Sequence, residues 1–371
     1  MHNVQAGKYH LCRLERRVDG CELPVVRVVD LRREPRSQGA APAIFSVELA
    51  KQMRLRLERA EQVILFLNRR GYARSQQCLA CGQAVGCPHC SMTLTYHRKR
   101  EQLLCHICGH QQRPARVCPE CGDPSIRASG FGTERVEAAL AEQFPRARVA
   151  RVDSDTVSRK GHLQEVLDDF KKGRVDILVG TQMIAKGLHF PGVTLVGVLQ
   201  ADLGLQTPDF RAAERVFQLL TQVAGRAGRG DLAGEVVVQA FSPESPAIQF
   251  ARHQDFDGFA KQEFTMRKAF GYPPFRHAAL LLSRSRDAAA GHRVLLDIAQ
   301  HLKASAEGLG VVVGEAIPCP LEKAHGQFRF QVLLRSASPA RIRKLITGGL
   351  AAVDIPDGVI VVWDMDPYSL M

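Results

Sequence analysis

Eight of the eleven cysteines in this 371-residue chain fall within 44 residues, as four C-x-x-C pairs: Cys78/Cys81, Cys87/Cys90, Cys105/Cys108 and Cys118/Cys121. Four such knuckles supply eight thiolates, enough for two complete tetrahedral zinc sites. Cys90 and Cys105 enclose fourteen residues, close to the spacing at which two knuckles share one metal. Only five residues separate Cys81 from Cys87, which is tight for a shared site. The spacing therefore predicts nested sites. Cys87, Cys90, Cys105 and Cys108 hold one ion, and Cys78, Cys81, Cys118 and Cys121 the other. Met92 to Tyr96 alternates and Leu103-Leu104 returns, which suits a hairpin between the inner knuckles. Gly82, Gly109 and Gly122 directly follow their cysteines, as a knuckle turn requires. A thioredoxin-type role needs one reactive pair, not four. Iron–sulfur ligation by the same thiols stays open. His89, His97, His106 and His110 are further donors, but eight cysteines already satisfy two metals.

Around this block the pattern is strand–helix alternation. Pro24–Leu31 reads as a strand, Phe45–Arg59 as a helix, and Val63–Leu67 as a strand buried on both faces. Beyond it come a helix at Thr133–Phe144, a strand at Arg148–Val152 and a helix at Leu163–Phe170. Strands at Asp176–Val179 and Thr194–Leu199, a helix at Phe210–Val223 and a strand at Glu235–Phe241 complete the series. Such alternation predicts a parallel sheet covered by helices, into which the cysteine block is inserted after the first strand. From Phe256 the order changes to a helix ended by Pro273-Pro274, then β-α-β-β-α-β, the ferredoxin-like pattern. The expected units are a remnant or linker (1–23), an α/β lobe (24–75 and 127–255), the inserted module (76–126) and an α+β domain (256–371).

The net charge of +12 is uneven: residues 1–75 hold 15 Lys and Arg against 8 Asp and Glu, and residues 127–255 balance at 16 each. A basic excess favours a polyanionic partner, most often nucleic acid. The module itself is a poor electrostatic clamp, since eight thiolates and two dications outweigh its small positive balance. No apolar run approaches the ~20 residues of a membrane span. The start lacks the charged and apolar regions of a signal peptide, so a cytoplasmic protein with no membrane partner is expected.

Two further constellations carry chemistry. In Gln222-Val-Ala-Gly225-Arg226-Ala-Gly-Arg229 two arginines three apart can face one anion, as at a transferring γ-phosphate. The bland alternative is a Gly-rich loop with solvated arginines. Upstream, a buried strand delivers Gly180-Thr181-Gln182-Met183 and Lys186-Gly187, a polar turn suited to nucleic-acid phosphates. Gly130-Phe131-Gly132-Thr133-Glu134 before a helix offers backbone N–H groups to an anion, or is an ordinary cap.

Together these residues resemble the second RecA-like lobe of superfamily 2 helicases, the first run matching motif VI and the second motif V. The cysteine pairs inserted between Leu65-Phe-Leu-Asn-Arg-Arg-Gly71 and Gly130–Glu134 narrow the likeness. So does the continuation through Gly271-Tyr-Pro-Pro-Phe275 to Asp364-Met-Asp-Pro367. The chain is similar to the PriA-type replication-restart helicases (primosomal protein N′). The resemblance implies 3′-to-5′ DNA unwinding at stalled forks with ATP and Mg2+, forked or single-stranded DNA as ligand, and primosome and single-strand-binding proteins as partners. It implies that Arg226 and Arg229 meet the γ-phosphate with Gln222 beside them. Thr181, Gln182 and Lys186 would touch the DNA backbone. No G-x-x-x-x-G-K-[ST] run and no Asp-Glu pair occurs in the sequence, so the likeness is to the carboxy-terminal half alone. ATP and Mg2+ are then expected only together with a first lobe. The competing class is a non-enzymatic zinc-containing DNA-binding or primosome-interaction module, distinguished by whether a phosphate-binding loop is encoded directly upstream.

Overall fold

A computed structural model describes residues 1–13, 24–35, 43–67, 75–90, 92–97, 100–128, 131–152, 161–181, 184, 190–225 and 234–370. Strands β1 (Val25–Asp30) and β2 (Gln62–Leu67) precede the cysteine block. Within it lie β3 (Gln76–Cys78), β4 (Thr95–His97), β5 (Gln102–Leu104), β6 (Gln111–Gln112) and β7 (Ile126–Ala128). After it come β8 (Val149–Val152), β9 (Ile177–Gly180), β10 (Val193–Leu199) and β11 (Glu235–Ala240). The long strands form a six-stranded sheet in the order β1-β11-β10-β2-β9-β8, every pair parallel.

The period of two along each strand divides its side chains between two cores. From β2, Ile64 and Phe66 face one side and Val63, Leu65 and Leu67 the other. Helices α1 (His2–Gln5), α2 (Val47–Glu58), α3 (Thr133–Gln143), α4 (His162–Lys171), α5 (Ala212–Ala224) and α6 (Pro246–Arg252) belong to this half of the chain. Leu49 and Met53 of α2 and Val136 and Leu140 of α3 cover one face. Phe170 of α4 and Val216, Leu220 and Val223 of α5 cover the other. Each fully buried side chain of this kind contributes about 1.5–3 kcal/mol, which is why both faces must be covered. Ser46 starts α2, its hydroxyl accepting from Leu49 N at 3.2 Å while its own N–H donates to Gln239 Oε1 of β11 at 2.7 Å.

One expectation needs correction. The cysteine block enters the sheet after two strands, not one, because β1 lies at the edge against β11. That pairing joins residues some 210 positions apart in register (Val25 with Glu235) and leaves no local signature. The described residues of the first segment contact the carboxy-terminal part. The His2 ring meets Phe264 and Phe275 edge-on, and Arg13 makes a two-armed contact with Asp257 at 2.6 and 2.7 Å.

In the carboxy-terminal part α7 (Phe256–Ala269), α8 (Ala288–Ala306) and α9 (Pro339–Ala351) accompany β12 (His277–Ser285), β13 (Val311–Val313), β14 (Ile317–Ala324), β15 (Gln327–Ser336) and β16 (Val359–Met365). The antiparallel order is β13-β15-β12-β16, with β14 also paired to β15. β13 is short, ending at Val313, and β14 is a strand beyond the expected β-α-β-β-α-β order. Pro318 and Pro320 and the charges of Glu322 and Lys323 interrupt the apolar alternation that would have announced it. Helices α8 and α9 cover one face of this sheet through Leu295, Ile298, Leu302, Ile342 and Ile346. Among the described residues no helix is long and apolar enough to cross a membrane.

Candidate metal centre

Three of the four knuckles repeat one backbone pattern. The first cysteine donates its N–H to the carbonyl five residues on: Cys78 to Gln83 (2.8 Å), Cys105 to His110 (2.8 Å) and Cys118 to Asp123 (2.9 Å). The glycine after the second cysteine turns its N–H back to the carbonyl of the first, at 2.9–3.0 Å. These glycines take φ of +80°, +79° and +73°, a region that disfavours side chains. The Cys87 N–H donates in the same way to Met92 O at 2.8 Å, and in sequence Ser91 stands where the other three knuckles have glycine.

The eight thiols gather into two clusters, Cys78/Cys81/Cys118/Cys121 and Cys87/Cys90/Cys105/Cys108, with all sulfurs of each within 4.8 Å of one another. This is the nested pairing the spacing implied. Sulfurs placed tetrahedrally at about 2.3 Å from one ion stand about 3.8 Å apart. Here Cys78–Cys121 is 3.7 Å, and Cys81–Cys118 and Cys87–Cys108 are 3.6 Å. That space fits a single ion and is too small for a multi-iron cluster, which disposes of the larger iron–sulfur alternative.

The thiols are electrostatically unequal. Cys105 is lowered to about 5, chiefly because the Cys90 thiol donates to it, against burial and with help from the N–H groups of Cys108 and Ile107. Burial alone would raise Cys118, yet the N–H groups of Cys121 and Glu120 and neighbouring thiols bring it to about 7. Cys81 and Cys87 are pushed up to about 12, first by burial, with thiol neighbours adding to it. Each cluster thus stabilises one thiolate readily, while Cys81 and Cys87 hold their protons until a dication offsets the cost of ionising them.

The clusters dock on different bodies. The first meets the parallel sheet at the carboxyl ends of its strands. Arg32 Nη1 donates to Cys81 O at 3.0 Å while its Nε holds Asp30 Oδ1 at 2.8 Å. Gln77 Nε2 donates to Asp202 Oδ2 at 2.9 Å, and the same oxygen accepts from the N–H groups of Phe241 (3.0 Å) and Ser242 (3.1 Å). Burial raises the Asp202 carboxyl above its ordinary range against these donors. Ser242 Oγ donates to Gly82 O at 2.9 Å.

The second cluster rests on the face of the antiparallel sheet that lacks helices. Met92, Leu94, Leu103 and Ile107 share one apolar cluster with Leu280, Leu333, Leu370, Phe210 and Tyr272. Phe210 and Tyr272 stack at 5.2 Å, 8° from parallel. His106 Nδ1–H donates to Pro318 O at 2.8 Å, and Gln331 Nε2 donates to His106 O at 2.9 Å. Burial, then the nearby His97, lowers His106 to about 3, so it packs as a neutral ring. Its Nε2 lies 3.0 Å from His97 Nε2, whose Nδ1 sits 2.6 Å from Glu322 Oε1. Two of the four histidines considered as spare ligands are therefore docking residues. Asp202, Gln77 and Gln331 escaped sequence reasoning, because only the assembled fold brings them to the module.

Thr181 stands half-buried just past β9, and Gln222 is exposed in the last turn of α5, with Gly225 as its cap. Gln182, Lys186, Arg226 and Arg229 lie outside the described residues. Gly132 precedes α3 with no side-chain cap bond, and Gly130 is outside the described residues. Cys12 is exposed and Cys319 buried, both free, while Cys21 is not among the described residues.

Comparison with known proteins aligns with this layout. The profile of the PriA DNA helicase Cys-rich region matches residues 87–113. That of the helicase conserved C-terminal domain matches 129–231, and that of the primosomal protein N C-terminal domain 268–368. The replication restart protein PriA of Bacillus subtilis is 40% identical over 372 residues, covering 99% of this chain and 46% of the relative. The protein of the same name from Haemophilus influenzae is 38% identical over 100% of this chain and 50% of its own length. That of Treponema pallidum is 40% identical over 96% and 53%. The chain spans about half the length of the curated relatives it matches.

Proposed function

We propose, from the premise that this chain belongs to the replication restart protein PriA family and matches the carboxy-terminal half of its members, that it is the second half of an ATP-dependent 3′-to-5′ DNA helicase acting at stalled forks in the cytoplasm. In this reading residues 24–75 and 127–255 form helicase lobe 2, residues 76–126 a zinc module and residues 256–371 a ferredoxin-like domain. The strand order β13-β15-β12-β16, read with the β-α-β-β-α-β succession of its main elements, supports the last assignment. Each four-cysteine cluster binds one structural Zn2+, which supplies folding free energy and no chemistry. Gln222, Arg226 and Arg229 serve the γ-phosphate of an ATP·Mg2+ held by a separate first lobe. There guanidinium groups offset transition-state charge. Thr181, Gln182 and Lys186 hold DNA phosphates, which fixes the strand without reading its sequence. Primosome and single-strand-binding proteins are the partners this role requires.

The observation that carries the reading is the two-ended docking of the cysteine module between an α/β lobe and an antiparallel sheet, in the same order as the three matched profiles. Elemental analysis tests the metal: two zinc ions per chain are expected, and one zinc, or iron, rejects the assignment. Joining the chain to a first lobe bearing a phosphate-binding loop tests the rest. Arg229→Ala is expected to lower the DNA-stimulated kcat by ~10³-fold or more. An unchanged kcat removes the arginine from the mechanism.

A further inference from the structure

Along β12 every second residue points to the face that carries the cysteine module: Ala278 and Leu280 lie in its apolar cluster, and Leu282 packs against it. The next residue of that row is Arg284. Antiparallel register places Arg284 directly opposite Arg329 of β15 on one side and Ile360 of β16 on the other. Two arginines thus face each other across adjacent strands, an arrangement that destabilises a sheet when nothing offsets it. Among the described residues nothing does. Neither guanidinium has an ion pair or hydrogen bond, and Arg284 Nε is buried without a partner. Of the carboxylates in and just before β14, which pairs with β15, Glu322 is engaged with His97 and Glu315 with Lys303. The thiol of Cys319, close enough to feel both arginines, is pushed up by burial to about 12 and brings no negative charge.

We propose that Arg284 and Arg329 form a two-guanidinium anion site on the outer face of the carboxy-terminal sheet, and that its ligand is a phosphodiester of a nucleic-acid strand. The inference rests on the DNA-binding reading above and adds a contact point outside the helicase lobe. Ten N–H donors in two rigid forks match adjacent phosphate oxygens, and a bound phosphate removes the repulsion between the pair. Beside them Ile360 and Val362 of the edge strand are 50% and 38% exposed, giving sugars and base edges an apolar strip. The site has no complementary ring of donors and acceptors for base edges, so it positions a strand without specifying sequence.

The test uses the full metal-loaded chain, with Arg284→Gln and Arg329→Gln titrated against labelled forked DNA at several salt concentrations. Each variant is expected to bind about three- to tenfold more weakly, and to reduce the slope of log affinity against log salt by about one. Because a like-charge pair is relieved, Tm is expected to hold or rise. Unchanged affinity and slope overturn the site, as does a fall in Tm with DNA binding intact, which would make the arginines structural. Loss of binding to a polyglutamate peptide with DNA binding unchanged also overturns it, in favour of an acidic protein partner. Should the glutamine variants fail to fold, Arg284→Lys and Arg329→Lys keep the charge but not the fork. Weaker binding at unchanged slope is then expected, and full affinity overturns the site. Failure of the unaltered chain to bind any DNA is a distinct result, which removes the functional reading itself.

Discussion

The two four-cysteine clusters use the same ligand set and nearly the same turns, yet they do different work for the fold. Cys87, Cys90, Cys105 and Cys108 sit in a shared apolar core with the antiparallel sheet, and none of the four is exposed. Cys78, Cys81, Cys118 and Cys121 meet the parallel sheet through hydrogen bonds from Arg32, Gln77 and Ser242, and Cys121 is open to solvent. The difference teaches that identical first ligands do not make equivalent sites. On the antiparallel side metal retention and packing reinforce each other, whereas on the lobe side a polar seam holds a cluster that water reaches.

The largest expected contrast comes from cysteine loss. Cys105→Ser is expected to empty the sheet-side cluster, loosen the apolar seam around Leu333 and cost more than about 4 kcal/mol. Cys121→Ser should also remove one ion but lower stability by clearly less. Metal counting with thermal unfolding of both variants checks this, and equal losses break the comparison. Next, Gly82→Ala places a Cβ against the Phe241 carbonyl at φ +80°. About 3 kcal/mol of destabilisation is expected in urea unfolding, confined to the lobe-side cluster, with metal retained by the other.

A third contrast is in acid. Metal binding needs thiolates, so affinity falls as pH falls. Cys121 is exposed whereas none of the sheet-side cysteines is, so protons reach the lobe-side ligands more readily, and that cluster is expected to release its ion first as pH drops below neutrality. A colorimetric chelator followed in Cys121→Ser and unaltered protein separates the two phases. The smallest effect is expected from Arg32→Ala, which loses the bond to Cys81 O. About 1 kcal/mol is expected, with faster zinc exchange on the lobe side only.

The sequence was most legible where chemistry is written in spacing. Fourteen residues between Cys90 and Cys105, against five between Cys81 and Cys87, were enough to pair the ligands, because knuckle geometry leaves few alternatives. Strands with uninterrupted apolar runs, such as β2, were equally plain. What stayed hidden depends on juxtaposition. β1 pairs with β11 across most of the chain, and β14 carries two prolines that mask its period. Asp202 follows a strand like many surface acids and becomes special only when Gln77, Phe241 and Ser242 converge on it. His106 looked like a spare ligand until Pro318 O gave its ring a different use.

The module leaves and rejoins the lobe through the β3–β7 pair, whose rungs run from Gln76/Ala128 to Cys78/Ile126. Tension between lobe segments on either side would pull both strands from the same end, opening three rungs one at a time like a zip. The zip then stops, because the innermost rung carries Cys78, whose sulfur lies 3.7 Å from that of Cys121. With an ion in place, coordinate bonds take the load there, before it reaches the hairpin and the apolar seam. In the helicase reading proposed above, lobes that swing with each turnover would load this pair first. The solvent-facing cluster would then serve as a strain relief, where a ligand can detach and rebind while the buried cluster stays undisturbed.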